Sequence, residues 1–142
     1  MNKMLNDEEL SKLVQKHIYE CLETLLNKND NFSILANLEF VEFEPNLPPN
    51  LISKSPVILF TLAGYTLSSA VLKQDHICFE AGFGADNFAS LVKIPLGAII
   101  QISVNEITLL VNFCLYQGKK GTANKSLQTF LSNPENRKFF NK

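Results

Sequence analysis

The stretch His76–Phe83, with the sequence HICFEAGF, decides the fold of this chain. Its apolar residues occupy every second position, starting with Ile77 and Phe79, which is typical of a β-strand with one buried face. The short turn Lys73-Gln74-Asp75 joins this stretch to Ala70–Leu72. Two strand patterns around such a turn predict an antiparallel β-hairpin.

Other short strand patterns lie on both sides of this hairpin and are separated by turn residues. They are Phe32–Phe40, Val57–Leu62 (as a buried strand), Leu91–Ile94, Ala98–Val104 and Ile107–Leu115. The segment Ala63-Gly64-Tyr65 is predicted to be a turn, and Gly84–Ser90 a longer loop. No helical crossover separates the strands, which favours a strongly bent antiparallel sheet or small open barrel in an α+β fold.

An amphipathic helix is predicted over residues 6–27, ahead of the strands. Asn6 is a suitable N-cap, and Glu9 three residues later completes a capping-box pattern. Apolar residues then recur at helical spacing and form a broad stripe. Because this stripe is wider than one small sheet needs, we expect part of it to form a homodimer interface, made by Leu13, Val14, Ile18 and Leu22.

The charges divide the chain into a folded domain, residues 1–117, and a basic tail, residues 118–142. Residues 1–50 carry nine acidic and four basic side chains, whereas residues 118–142 carry one acidic and six basic side chains. The tail also contains a helical pattern at Asn124–Leu131. The net charge of the whole chain is −1, which argues against binding of nucleic acid by bulk charge.

Composition places the chain among globular proteins. It has 142 residues and 46% hydrophobic content, which is enough to build one core. No segment reaches the roughly 18 apolar residues of a membrane span. The acidic residues Asp7, Glu8 and Glu9 stand where a signal peptide would have basic and then apolar residues, so we expect a cytoplasmic protein.

Histidine, cysteine and glutamate, which can act as metal ligands or catalytic groups, cluster on the strand pattern His76–Phe83. Their spacing is unsuitable for catalysis. His76, Cys78 and Glu80 share one face at steps of about 6.5–7 Å, whereas zinc ligands all lie about 2.0–2.3 Å from the ion. A His76–Cys78 nucleophile pair would lack an oxyanion hole and an orienting acid. The glycines of Ala81–Ala85 lack the lysine and helix of a phosphate loop. We therefore predict no enzymatic activity, metal or cofactor, and keep a ligand-binding domain built around these residues as an alternative.

The stretch Ile77–Phe113 resembles the stringent starvation protein B family. Phe79-Glu80-Ala81-Gly82-Phe83-Gly84 is similar to a strand of that family ending in Phe-Gly-Gly, and Val92–Ile99 is similar to its Val-x-Val-Pro-Leu-x-Ala-Val segment. Ile107–Phe113 resembles its closing strand, and Val57–Tyr65 fits upstream without gaps. The likeness spans about residues 10–115.

This resemblance implies an Sm-like fold and an adaptor function. Members of the family are homodimers, paired through the N-terminal helix, that bind the degradation tag of stalled nascent chains and deliver tagged proteins to the ClpXP protease. The implied peptide-binding residues are Ala63, Gly64, Tyr65, Glu80, Ala81, Gly82 and Phe83. The implied docking module for a ClpX-type unfoldase is Arg137, Lys138, Phe139 and Phe140.

The chain departs from the family pattern in three ways. Ala85 replaces the second glycine of Phe-Gly-Gly, Gly82 stands where many relatives carry a basic residue, and the long linker before the docking module is missing. A partner-specific chaperone of the secretion type, which has the same size and fold class, is therefore kept as an alternative. The expected partners are peptide tags or client proteins, with no nucleic acid and no membrane.

Overall fold

The computed structural model describes residues 7–52 and 54–116. Within them, one long helix is followed by eight strands and one short helix. The elements are α1 (Glu8–Lys28), β1 (Phe32–Asn37), β2 (Glu42–Glu44), β3 (Val57–Leu62), α2 (Gly64–Ser69), β4 (Val71–Leu72), β5 (His76–Phe83), β6 (Phe88–Pro95), β7 (Ile99–Val104) and β8 (Ile107–Val111). Single 3₁₀ turns occur at Leu38–Phe40, Pro49–Leu51 and Leu96–Ala98.

The strands form two antiparallel sheets of four strands each. The first sheet has the order β3-β1-β7-β8 and the second has the order β2-β6-β5-β4. This arrangement confirms the predicted α+β fold with an N-terminal helix and antiparallel pairing. The predicted hairpin is also confirmed, since Val71 pairs with Cys78 and Leu72 with Ile77.

The N-cap of helix α1 lies one residue later than the sequence pattern suggested. It is Asp7, whose Oδ1 accepts a hydrogen bond from the Leu10 backbone N–H at 2.9 Å. The predicted cap, Asn6, lies outside the described residues. With Asp7 as the cap, the third helical position holds Leu10, so Glu9 does not complete a capping box. Aspartate and asparagine cap helices about equally well, so the sequence pattern did not distinguish the two neighbouring residues.

Two predicted strand boundaries were wrong for local reasons. The strand expected over Phe32–Phe40 ends at Asn37, because the side chain of Asn37 accepts a hydrogen bond from the Glu39 N–H at 3.2 Å and starts a 3₁₀ turn. The expected loop Gly84–Ser90 is a tight turn, so that β6 already begins at Phe88. Both hairpin strands, β5 and β6, are therefore eight residues long.

Phenylalanine rings fill the space where the two sheets meet. Phe60 of the first sheet packs edge-on against Phe79 of the second, with ring centroids 5.2 Å apart. Phe83 packs against Phe43 at 5.6 Å and against Phe60 at 6.4 Å. Edge-to-face contacts at these distances are favourable. Strand β3, predicted to be a buried strand, keeps only one face in this core, and its residue Leu59 is 60% exposed.

Helix α1 closes the core with its apolar stripe, packing against β4 and the turn Leu96–Ala98. Ile18 and Leu22 are fully buried in the single chain. These two side chains therefore belong to the core of their own subunit and have no surface left for a partner, contrary to the predicted dimer interface. Leu13 remains 49% exposed, and Val14 is half-buried.

Candidate functional site

The residues predicted to bind peptide come from two segments, which meet at one edge of the second sheet. Ala63 is the N-cap of α2, and Gly64 and Tyr65 form its first turn. The Tyr65 hydroxyl donates a hydrogen bond to the Glu80 carboxylate of β5. The backbone N–H of Glu80 donates to Ser69 Oγ at 2.9 Å, which ties the end of α2 to the same residue. Helix α2 thus lies alongside β5.

Beyond Cys78 this edge of β5 has no partner strand among the described residues, and the end of α2 lies beside it at Glu80. β4 pairs only with Ile77 and Cys78, and no other strand of the described part of the chain pairs with β5 on that side. The carbonyl of His76 accepts from the Lys73 N–H at 2.8 Å, so the peptide groups of even-numbered residues face this side. Ser69 engages the Glu80 N–H, whereas the Glu80 carbonyl and the Gly82 peptide groups point toward the open side.

The predicted residues divide between the two faces of β5. Tyr65, Glu80 and Gly82 are exposed beside the open edge. Ala81 and Phe83 alternate onto the inner face, where Phe83 joins the phenylalanine cluster between the sheets. Ala81 and Phe83 therefore pack on the core side of β5 and do not face a peptide at its edge.

Gly82 leaves space for a side chain from the turn of the β5–β6 hairpin. A Cβ atom at Gly82 would lie 1.7 Å from Asn87 Oδ1, so the Asn87 side chain already occupies the space above the glycine. Asn87 adopts a left-handed conformation, with φ of 52°, in the turn that joins the two strands. A glycine in a strand often marks a place where another backbone approaches closely. At Gly82, however, the space of the missing side chain is filled from within the chain.

One acidic group dominates the electrostatics of this edge. Glu80 is the only charged residue in the segments Gly64–Ser69 and Phe79–Phe83. Its hydrogen bond and negative charge raise the pKa of Tyr65, whose side chain is 70% exposed. Tyr65 therefore remains a neutral donor at physiological pH, and the two segments carry a single negative charge.

The other chemically useful residues of β5 show no arrangement for catalysis. His76 is hydrogen-bonded to Asp75, which lowers the pKa of the Asp75 carboxyl group. Burial raises the pKa of the Cys78 thiol, which disfavours the nucleophilic thiolate. Among the described residues, no three His, Cys, Asp or Glu side chains form a group that could hold a metal ion.

A concavity lies on the first sheet. It has a volume of about 590 Å³ and is bounded by the chain that follows β8 and by the turn around Gly97. Its buried amide, Asn112, donates to the carbonyls of Gly97 at 3.2 Å and Ile99 at 3.0 Å, and accepts from the Cys114 N–H at 2.8 Å. That amide is therefore engaged with the backbone and is not directed at a ligand.

No protein-family model matches this chain, and no curated protein matches it. The likeness to the stringent starvation protein B family therefore rests on the short sequence motifs alone. Over residues 7–52 and 54–116, the chain contains no helix with the length and apolarity needed to cross a membrane. The residues predicted to dock on an unfoldase, Arg137–Phe140, lie outside the described residues, as do the helical pattern Asn124–Leu131 and the rest of the basic tail.

Proposed function

We propose that this chain is a non-enzymatic, peptide-binding adaptor that captures an extended segment of its client at the open edge of β5. The observation that carries the proposal is the unequal length of two paired strands. β4 has two residues and β5 has eight, so the Glu80 carbonyl and the Gly82 peptide groups have no partner strand within the described residues.

The mechanism is the addition of one strand to the sheet. Main-chain hydrogen bonds to the Glu80 carbonyl and the Gly82 peptide groups supply affinity that does not depend on the sequence of the client. The ring of Tyr65 and the hydroxyl of Ser69 flank the added strand and restrict its position. An affinity of about 1 μM, corresponding to roughly −8 kcal/mol, suits an adaptor that must release its client.

The charge of the edge sets its preference among peptides. Since Glu80 is the only charged side chain in the two segments, a peptide with a lysine near its centre binds more tightly than the same peptide with an aspartate. An exposed charge pair contributes about 0.2–1 kcal/mol, so the lysine peptide gains up to about fivefold in affinity. Gly82, which replaces a basic residue of many relatives, removes the opposite preference.

Delivery to a protease extends the same proposal and rests on the family resemblance. The captured client would be handed to an AAA+ unfoldase of the ClpX type in the cytoplasm. Two open edges in a homodimer would raise the effective affinity for a client with two tags. Arg137, Lys138, Phe139 and Phe140 are the residues proposed to dock on the unfoldase.

Fluorescence anisotropy tests the binding step. The probes are a labelled degradation-tag peptide of the family and two variants of it that carry a central lysine or a central aspartate. Tyr65→Ala is expected to weaken binding at least about fivefold. Leu59→Ala is the matched control, because Leu59 is similarly exposed but belongs to the first sheet.

The outcomes separate the candidate functions. Binding that is lost in Tyr65→Ala and kept in Leu59→Ala supports the proposal. A folded protein that gives no anisotropy change with any of the three peptides refutes the proposed peptide site. Purification from native lysate with one stoichiometric client, rather than many tagged proteins, would instead indicate a secretion-type chaperone.

A further inference from the structure

The outer face of the first sheet, which looks away from the second sheet, carries a row of mostly apolar side chains. The strand register places one residue from each strand side by side in this outer row: Leu59, Leu35, Gln101 and Val111. Their neighbours along the strands, Ile34, Phe60 and Ile102, are buried, so the row lies on the outer face. The four strands of this sheet contain no charged residue.

The concavity of about 590 Å³ lies at the same end of the sheet as Val111, the last residue of β8. It is lined by Asn37, the last residue of β1, and by Phe113 and Leu115, which follow β8. Phe113 is 74% exposed, and Leu115 is also exposed. The outer row and the concavity therefore form one mostly apolar surface, and the one charged residue that lines the concavity is the acidic Glu39.

The described part of the chain ends at this surface. The ring of Tyr116 packs edge-on against Phe40, with ring centroids 4.9 Å apart. Tyr116 also lies against Gly97, where an added Cβ atom would come within 2.3 Å of Tyr116 Cδ1. Phe40 and Gly97 both line the concavity. Residues 117–142 therefore start at its border.

The residues after Tyr116 have a charge opposite to that of the described residues and an apolar pattern of their own. The described residues carry thirteen acidic and six basic side chains, whereas residues 117–142 carry one acidic and six basic side chains. In the helical pattern Asn124–Leu131, three apolar residues share one side of a helix: Leu127, Phe130 and Leu131. Lys125, two residues before Leu127, falls on the opposite side.

We propose that the tail segment Asn124–Leu131 of the same chain packs as a short amphipathic helix on this surface, with its apolar side against Phe113 and the outer row. Eight helical residues span about 12 Å, and the outermost strands of the sheet lie about 14 Å apart. The seven residues between Tyr116 and Asn124 reach up to about 25 Å. The segment can therefore reach every part of the outer row.

The tether selects this segment over a second copy or a separate protein. A short linker holds the segment at an effective concentration in the millimolar range, and the opposite net charges of tail and domain attract each other. A helix of eight residues is not stable alone in water, so the sheet supplies the contacts that it needs. Arg137–Phe140 begin five residues beyond Leu131 and stay accessible, as does the peptide site on the other sheet.

Nuclear Overhauser effects between side chains of the isotope-labelled, 142-residue chain test this packing. Phe130→Asp places a charge on the apolar side of the segment. Phe139→Asp is the matched control, because it makes the same change in the same tail but outside the segment. An equal mixture of labelled and unlabelled chains distinguishes contacts within one chain from contacts between two chains. Amide hydrogen exchange over Asn124–Leu131 reports whether the helix forms.

The proposal predicts contacts of Phe130 with Phe113 or Val111 within one chain, and amides in Asn124–Leu131 that exchange at least about tenfold more slowly than in Phe130→Asp. Phe139→Asp should keep both the contacts and the slow exchange. Contacts that occur only between labelled and unlabelled chains would make a second copy the occupant and overturn the proposal. Contacts of Phe139 in place of Phe130, fast exchange throughout the segment, or packing that survives Phe130→Asp would also overturn it.

Discussion

Replacing Ile18 and Leu13 by alanine, one at a time, tests which of these two residues of α1 packs in the core of the single chain. Ile18 is fully buried within the single chain, whereas Leu13, five residues earlier on the same helix, is 49% exposed. Ile18→Ala removes three buried carbon atoms, worth about 2.4 kcal/mol at roughly 0.8 kcal/mol each. The cavity that remains raises the loss into the range of about 2–5 kcal/mol. Leu13→Ala removes three carbon atoms that are half in water and leaves no cavity, so its cost is about 1 kcal/mol.

Urea denaturation followed by far-ultraviolet circular dichroism is the suitable assay, because the chain has no tryptophan to report by fluorescence. A loss of about 3 kcal/mol corresponds to a fall in Tm of about 6–12 °C for a chain of this size. The free energy of unfolding should fall at least twice as far in Ile18→Ala as in Leu13→Ala. Equal losses, or an Ile18→Ala variant of normal stability that only shifts a monomer–dimer equilibrium, would refute the assignment of Ile18 to the core.

Three further predictions concern other parts of the chain. Asn112→Ala should cost about 2–3 kcal/mol in urea denaturation, because it leaves buried backbone groups without their partner; a loss below about 0.5 kcal/mol would contradict the hydrogen bonds of the Asn112 amide. Gly82→Ala should displace the side chain of Asn87 and shift its amide resonances in NMR spectra with little loss of stability, whereas unchanged Asn87 resonances would contradict the close packing. The hydrogen bond from His76 lowers the pKa of Asp75, so its small contribution to stability is complete above the ordinary aspartate pKa of about 3.9 and is lost as the pH falls through the lowered value. In His76→Ala the titration midpoint of the Asp75 carboxyl carbon should rise, and a midpoint that does not move would show that His76 is not what lowers the pKa of Asp75.

The strands were predictable because alternation is a local signal. The pattern of His76–Phe83 and the turn before it specified both the hairpin and its buried face, since each second side chain had to be apolar. The same periodicity located α1 to within about two residues. It could not say which surface the stripe would cover, because an apolar helix face looks alike whether it packs on its own sheet or on a second subunit. The burial of Ile18 and Leu22 assigns these two side chains to the core of the single chain.

Helix α2 was not predicted, because it has no periodic pattern of apolar residues that would indicate a helix. Its six residues are too few for a 3.6-residue pattern, and Gly64 with φ of +54° marks only a turn. The helix depends on short-range bonds, such as Ser69 Oγ to the Thr66 carbonyl at 2.8 Å, and on packing beside β5. The contact between Ser69 and the Glu80 N–H spans eleven residues of chain and has no sequence signal of its own.

The role of Gly82 was likewise beyond sequence reasoning. The sequence predicts a loop at Gly84–Ser90, but it does not show that the Asn87 amide occupies the space above the glycine. The sequence also did not predict the part of β5 that lacks a partner strand. This part exists because β4 has two residues while its partner β5 has eight. Strand length in a sheet depends on tertiary context, which local patterns do not contain.

The central claim is that an extended peptide pairs with β5 beyond the end of β4. Amide hydrogen exchange at Gly82, measured with and without a saturating tag peptide, tests it most directly, since the Gly82 N–H points toward the open side. The account predicts that exchange at Gly82 slows at least tenfold when the peptide is bound, while exchange at Val111 in β8 of the other sheet is unchanged by the peptide. Saturable peptide binding that leaves Gly82 exchange unchanged would contradict strand addition at this edge.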